Sequence, residues 1–249
     1  MGVVVLAGHL RTYPAPRHWP VAVKESAFTV RPMPGPHPFK ECIPLGLILR
    51  DVLGKVKTIS EAKRALAERK VLVDGKVRRD YRYPVGLMDI LYLKPEEVYY
   101  RVMPDRVRKL CLMRISPDEA TFKLLKIKGK HILKGRKVQL SFHDGKTLAF
   151  NVDDPFNIQL PYAPNDVLKI SIADNQVLDH LPLDRGVFVA VTGGRNVGQY
   201  GTVVETPQTK SPDALSKVSI AGKETTVTLK YLFPIGKESP IISTSGEVA

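Results

Sequence analysis

The 249-residue chain has two cysteines, Cys42 and Cys111, far apart and in no CxxC pair. That excludes a zinc finger on ligand number and suits a reducing compartment. No apolar stretch approaches the ~20 residues a membrane helix needs. The opening Met1–Gly8 is apolar but short and carries no cation, so it makes a poor signal peptide. His9, His18, His37, His131, His143 and His180 show neither HExxH nor HxH spacing, which argues against a zinc hydrolase. Gly145-Lys146-Thr147 mimics the end of a phosphate-binding loop, but Leu140 stands where that loop needs its first glycine. The run Gly193-Gly194-Arg195-Asn196-Val197-Gly198 fails the dinucleotide fingerprint at Arg195. Asp153-Asp154 is a carboxylate pair, yet Pro155 follows at once and the segment reads as a turn. Neither cysteine carries the signature of an activated nucleophile. No cofactor, metal, membrane or small-molecule substrate is therefore expected, and the chain is not expected to be an enzyme.

Positive charge is what the chain has in excess. It carries 38 Lys and Arg against 25 Asp and Glu, a net +13. Apolar residues at 43% and charged residues at 25% are ordinary for a folded protein, so global disorder is not expected. A folded chain this basic usually meets a polyanion. The charge is uneven: residues 1–110 hold 21 basic and 11 acidic side chains, whereas residues 176–249 hold seven of each. The electrostatic surface lies mainly toward the N-terminal side.

Residues 1–41 form a proline-rich arm, with Pro14, Pro16, Pro20, Pro32, Pro34, Pro36 and Pro38. Proline this dense prevents regular helix and central strand. Arg11, Arg17, His18, Trp19, Arg31 and Lys40 are interleaved with it. Their expected roles are phosphate contact for the cations and base stacking or packing on a neighbour for the aromatics, as a docked arm rather than a plain linker. Pro44 is expected as the first residue of a helix through Leu45, Ile48, Leu49, Val52 and Leu53, stopped by Gly54. Thr58 with Glu61 three residues on is a capping box for a second helix. Its apolar stripe is Ile59, Ala62, Ala65 and Leu66; Lys63, Arg64, Arg69 and Lys70 lie off it. Val71-Leu72-Val73 then runs into Asp74-Gly75, a tight-hairpin dipeptide, and returns through Lys76-Val77-Arg78-Arg79. Pro84 and Gly86 read as a loop, and Ile90–Leu93 as a strand.

The pieces Ser60-Glu61-Ala62-Lys63-Arg64-Ala65-Leu66, Val71-Leu72-Val73-Asp74-Gly75-Lys76-Val77 and Pro84-Val85-Gly86-Leu87-Met88-Asp89-Ile90 resemble the alpha-L RNA-binding module. The resemblance places that module at 42–105 and implies phosphate contacts from Lys63, Arg64, Lys70, Lys76, Arg78 and Arg79. In residues 106–175, Ser116-Pro117-Asp118-Glu119-Ala120 reads as a helix start. Lys123, Lys126, Lys128, Lys130, Lys134, Arg136 and Lys137 follow with no acid among them, and short strands flank the turn at Asp144-Gly145. The expectation is a β-rich central domain with a basic edge. In 176–236, Arg185–Val191, the loop Thr192-Gly193-Gly194-Arg195-Asn196 and the returning Val197–Glu205 resemble the KOW motif of SH3-like barrels. Ser216–Ile220 and Thr225–Leu229 can complete such a barrel. The tail, 237–249, is expected to be loose after Ile242.

The order of modules resembles the S4e family of small-subunit ribosomal proteins of archaea and eukaryotes, and the neutral C-terminus looks more archaeal. The expected fold class is α+β and multi-module: a small alpha-L RNA-binding domain, a β-rich central domain and an SH3-like KOW β-barrel. The family implies a cytoplasmic structural protein that binds small-subunit ribosomal RNA and neighbouring ribosomal proteins. The uncharged first eight residues depart from the family's Lys/Arg-rich tip. Expected RNA contacts are Arg11, Arg17, His18, Trp19, Arg31 and Lys40 in the arm; Lys57, Lys63, Arg64, Arg69, Lys70, Lys76, Arg78 and Arg79 in the alpha-L module; Lys126, Lys128 and Lys130 in the central domain; and Arg195 and Asn196 in the KOW loop. The alternatives are an RNA-modifying enzyme anchored by an alpha-L module, and a transcription or translation factor. Charge reversal at Arg64, Arg78 and Arg79 together should weaken binding to structured RNA more than the same change at Lys210, Lys217 and Lys223. Equal losses in a binding titration would contradict this orientation of the chain.

Overall fold

The computed structural model describes residues 9–22, 24–151, 160–207 and 211–244. Met1–Gly8, Asp153-Asp154-Pro155 and Lys210, weighed above, lie outside the described residues.

Among its described residues the arm makes one two-stranded pairing, β1 (Leu10–Arg11) with β2 (Phe28–Thr29), and a single 3-10 turn at Phe39–Glu41. It is docked. Trp19 is buried in the core of the following module, and Leu10, Ala15, Val21 and Val30 pack against the same core.

That module begins with β3 (Cys42–Pro44) and α1 (Leu45–Leu47), which runs on as a π turn over Ile48–Val52. Pro44 caps the helix in extended conformation instead of opening it, because it pairs with Pro84 across two short strands. Gly54, at φ +61°, stops the helix as expected. α2 (Ile59–Ala67) has Thr58 Oγ1 accepting from the Glu61 N–H at 3.2 Å. The Glu61 carboxylate reaches one residue further back than a simple capping box and accepts from the Lys57 N–H at 2.8 Å. Ala62 and Leu66 are fully buried. Next come β4 (Val71–Val73), β5 (Lys76–Val77), β6 (Pro84–Gly86), β7 (Ile90–Leu93), β8 (Val98–Asp105) and β9 (Lys109–Ile115). Asp74 and Gly75 both have positive φ, 50° and 73°, as a two-residue I′ hairpin requires.

The loop expected at Pro84 and Gly86 is corrected: these residues form β6, which among the described residues pairs only with β3. A strand with one neighbour can tolerate a proline, since its other edge needs no ladder bond. Gly86 is required there, because a Cβ would lie 2.4 Å from the His37 ring. The larger sheet has the order β5-β4-β7-β8-β9, and the boundary expected at 105/106 falls inside the β8–β9 hairpin.

The central sheet has the order β12-β11-β10-β13-β14, from β10 (Phe122–Leu133), β11 (Lys137–Phe142), β12 (Thr147–Asn151), β13 (Val167–Ser171) and β14 (Val177–Leu181). The helix expected from Ser116 is corrected to a single 3-10 turn, Glu119–Thr121, with Ser116 Oγ accepting from the Glu119 N–H at 3.3 Å. From Phe122 the chain is buried on both faces and pairs in sheet, which overrides the local cap signal. The last sheet joins β15 (Phe188–Val191), β16 (Tyr200–Glu205), β17 (Leu215–Ile220), β18 (Lys223–Thr228) and β19 (Leu232–Gly236) in the order β18-β17-β16-β15-β19. A 3-10 turn, Leu229–Tyr231, leads into β19, which returns beside β15 as in an SH3-like barrel. The tail is anchored further than expected: Ile242 is buried, and Ser243 Oγ donates to Glu119 Oε1 at 2.5 Å.

One apolar cluster joins the last three modules: Met88, Met103 and Met113 meet Phe122, Leu124 and Val167 and then Ala190, Phe233 and Ile235. Polar bonds reinforce the same junction. The ammonium of Lys123 is almost wholly buried and donates to Asp74 at 2.6 Å, Asp89 at 2.5 Å and Asp144 at 3.2 Å. Asp89 also accepts from the Gly86 N–H at 2.9 Å and lies 3.0 Å from His37 Nε2. Burial would raise the Asp89 pKa, but Lys123 and His37 outweigh it and hold the carboxyl below its usual range. Burial likewise opposes the Lys123 charge, and Asp89, Asp74 and Asp144 more than restore it. Arm, alpha-L module and central sheet thus share one buried ion cluster.

Removing one partner of a buried ion pair typically costs about 3–5 kcal/mol, because the other is left uncompensated. Lys123→Met should fall at the upper end of that range in urea unfolding at neutral pH, whereas Lys128→Met, at an exposed position, should change stability by no more than about 0.5 kcal/mol.

Candidate nucleic-acid interface

Most of the expected basic residues of the alpha-L module are exposed. Lys63 and Arg64 are exposed on α2, away from its buried Ala62 and Leu66. Arg69 follows the helix at φ +57°, and Lys70 is exposed but paired with Glu68 at 2.5 Å. Lys57, Lys76 and Arg79 are also exposed. Arg78 is half-buried: its guanidinium carbon lies 4.3 Å from the centre of the Tyr83 ring. Lys63 stands 4.6 Å over Tyr81, and Arg82 lies 5.8 Å from the same ring while paired with Asp80. The result is an interleaved face of cations and tyrosines. Such a face offers phosphates a charge and bases a stacking surface. Tyr81, Arg82 and Tyr83 were missed in the sequence reading. The alternation in Arg79-Asp80-Tyr81-Arg82-Tyr83 was the signal that could have found them.

The arm divides. Arg11, Arg17 and Lys40 are exposed; Arg31 is half-buried and not free. The base-stacking role for Trp19 is corrected. Its ring is 5% exposed, packs edge-on to Phe39 at 5.5 Å, and its Nε1–H donates to the Cys42 carbonyl at 2.6 Å. His18 is half-buried beside it, with Nε2 3.3 Å from the same carbonyl. Burial pulls its pKa down from the usual imidazole value.

The central domain divides likewise. Lys128 is exposed and Lys130 partly so, with Lys134, Arg136 and Lys137 exposed at the β10–β11 turn. Lys126 as an RNA contact is corrected: it is buried, and its ammonium donates to the carbonyls of Leu229 at 2.9 Å, Lys230 at 3.1 Å and Leu232 at 2.7 Å. Burial, then Lys128, pushes its pKa down to about 7. It ties the central sheet to the barrel. In the KOW loop Arg195 is exposed and Asn196 half-buried, and Gly193 lets the loop lie on Tyr231, where a Cβ would come within 2.5 Å of the ring. Both thiols are pushed up by burial, Cys42 to about 12 and Cys111 to about 11, so neither is primed as a nucleophile. Among the described residues no group of three or more His, Cys, Asp or Glu is placed to hold a metal ion.

Rigid sheet modules carrying a cation–tyrosine face define a modular nucleic-acid-binding protein. Family models agree on which one. The model described as ribosomal family S4e matches residues 96–177, the S4 domain residues 48–91, and the RS4NT domain residues 8–40. The chain is 41% identical over 237 residues to the small ribosomal subunit protein eS4 of Staphylothermus marinus, covering 94% of both chains. It is 41% identical over 245 residues to that of Desulfurococcus amylolyticus, covering 97% of both, and 37% identical over 249 residues to that of Methanothermobacter thermautotrophicus, covering 99% of both. The crystal structure of the 30S ribosomal protein S4e from Thermoplasma acidophilum matches with a TM-score of 0.66 at 28% identity, over 79% of this chain and 96% of that one. The chain belongs to the S4e family of ribosomal proteins.

Because Trp19 is core and not a stacking platform, Trp19→Ala should cost about 3–5 kcal/mol of stability in denaturant titration. RNA affinity of the fraction still folded should remain within about threefold of the parent. Unchanged stability with a large loss of affinity would reverse the assignment.

Proposed function

We propose that the chain is a structural constituent of the small ribosomal subunit, that it binds small-subunit ribosomal RNA and neighbouring ribosomal proteins in the cytoplasm, and that it catalyses no reaction. Similarity to eS4 proteins along nearly the whole chain supports the assignment. The observation that carries the mechanism is the cation–tyrosine face of the alpha-L module, mounted on elements that the buried Lys123 cluster holds in place.

On this reading Lys57, Lys63, Arg64, Arg69, Lys70, Lys76, Arg78 and Arg79 contact RNA phosphates, with Arg11, Arg17, Arg31 and Lys40 extending the footprint along the arm. Lys128 and Lys130 extend it along β10, and Arg195 and Asn196 add a contact from the barrel loop. Trp19, His18 and Lys126 serve the fold. The alpha-L unit is taken to run on to Ile115, since β9 shares its sheet. Recognition is mainly of RNA shape, because an A-form helix hides base edges in a deep, narrow major groove.

Each neutralised phosphate contributes roughly −0.7 to −0.9 to the slope of log affinity on log salt, so about eight contacts give a slope near −6. Filter binding of the full chain to small-subunit ribosomal RNA should therefore lose between about three and four orders of affinity between 50 and 200 mM salt. A slope shallower than about −2 would remove phosphate neutralisation as the basis of binding.

A further inference from the structure

A cleft of about 400 Å³ opens where the arm, the β4–β5 hairpin and the central sheet meet. Arg78 and Tyr83, stacked 4.3 Å apart, line it together with Lys76, Lys146, Asp74 and Asp144. Gly35 and Gly145 line it too, on the arm and on the β11–β12 turn.

Two features separate this cleft from a merely solvated gap. The carboxylates are already used. Asp74 accepts from Lys123 and from the Ile90 N–H at 3.1 Å, and Asp144 accepts from Lys123 and from the Lys146 N–H at 2.9 Å. The Lys146 ammonium is only loosely held, at 3.6 Å from Asp74 and 3.7 Å from Asp144, with its side chain 36% exposed. Second, Arg78 Nε is shut off from solvent and has no acceptor among the described residues. A buried charged donor without an acceptor is costly, which singles out the Arg78 guanidinium as the unsettled group beside the cleft.

We propose that the cleft receives one unstacked nucleotide of the bound RNA. Its phosphate sits between Lys76 and Lys146, and its base lies against the Arg78–Tyr83 stack. The volume lies within the range of sites that enclose a small molecule, and unpaired bases are the parts of RNA that proteins stack on aromatic and guanidinium planes. A bare phosphate would satisfy the lysines but leave the stack and much of the space unused. The inference rests on the RNA-binding reading and deepens it to a single-nucleotide subsite at the Arg78–Tyr83 end of the cation–tyrosine face.

The test uses the full chain bound to small-subunit ribosomal RNA. Ultraviolet crosslinking followed by peptide mass spectrometry should place a nucleotide adduct on Tyr83 or on the peptide carrying Lys146. Adducts confined to other peptides would overturn the proposal. Lys146→Met, checked for retained folding by thermal melting, should lower affinity three- to tenfold and flatten the salt slope by somewhat under one unit. An unchanged affinity and slope would count against the subsite. The two readings fail separately: a parent chain that does not bind the RNA at all defeats the proposed function, while intact binding without an adduct in the cleft defeats only the subsite.

Discussion

The three bonds from the Lys123 ammonium to Asp74, Asp89 and Asp144 set the relation between the alpha-L module and the central sheet. Asp74 is the first turn residue of the β4–β5 hairpin, Asp89 stands between β6 and β7, and Asp144 lies in the turn after β11. Through His37 the same cluster reaches the arm. Desolvating four charged groups is expensive, and the cluster persists because nearly every acceptor also takes a backbone or imidazole partner. Hydrophobic contact is non-directional; this cluster adds direction, fixing where the basic face stands against the central sheet.

Charge in this chain has two uses that composition cannot separate. Lys123 and Lys126 are three residues apart on an extended strand, so they leave opposite faces of the sheet. One enters the alpha-L junction and the other the barrel junction. Lys128, two residues further on, is exposed. The uninterrupted run of cations therefore begins as internal cross-ties and ends as surface. Only the latter portion is open to a polyanion.

Much of the architecture was legible because local rules and tertiary context agree. Thr58 with Glu61, Asp74-Gly75 and the barrel strands satisfy capping, turn and alternation rules where they stand. Errors arose where a distant partner decided. Ser116-Pro117 has every mark of a helix start, but pairing with β13 claims the following residues. Pro84 and Gly86 have loop composition, but β3 lies beside them. Trp19 belongs to a proline-rich arm that reads as surface, yet its nearest acceptor is the carbonyl of Cys42, 23 residues on. The cations on α2 were legible because that helix has a single buried stripe; Lys126 was not, because its acceptors are over a hundred residues away in the chain.

The spacing of the cluster along the chain has a consequence for synthesis. Its members are His37, Asp74, Asp89, Lys123 and Asp144. A polypeptide emerging from its N-terminus presents two of the acids before it presents the lysine that neutralises them, and the last acid comes later still. The arm can seat on the alpha-L core as soon as that core exists, through Trp19 and His37, whereas the alpha-L unit and the central sheet cannot take their final mutual orientation until more than half of the chain has been made.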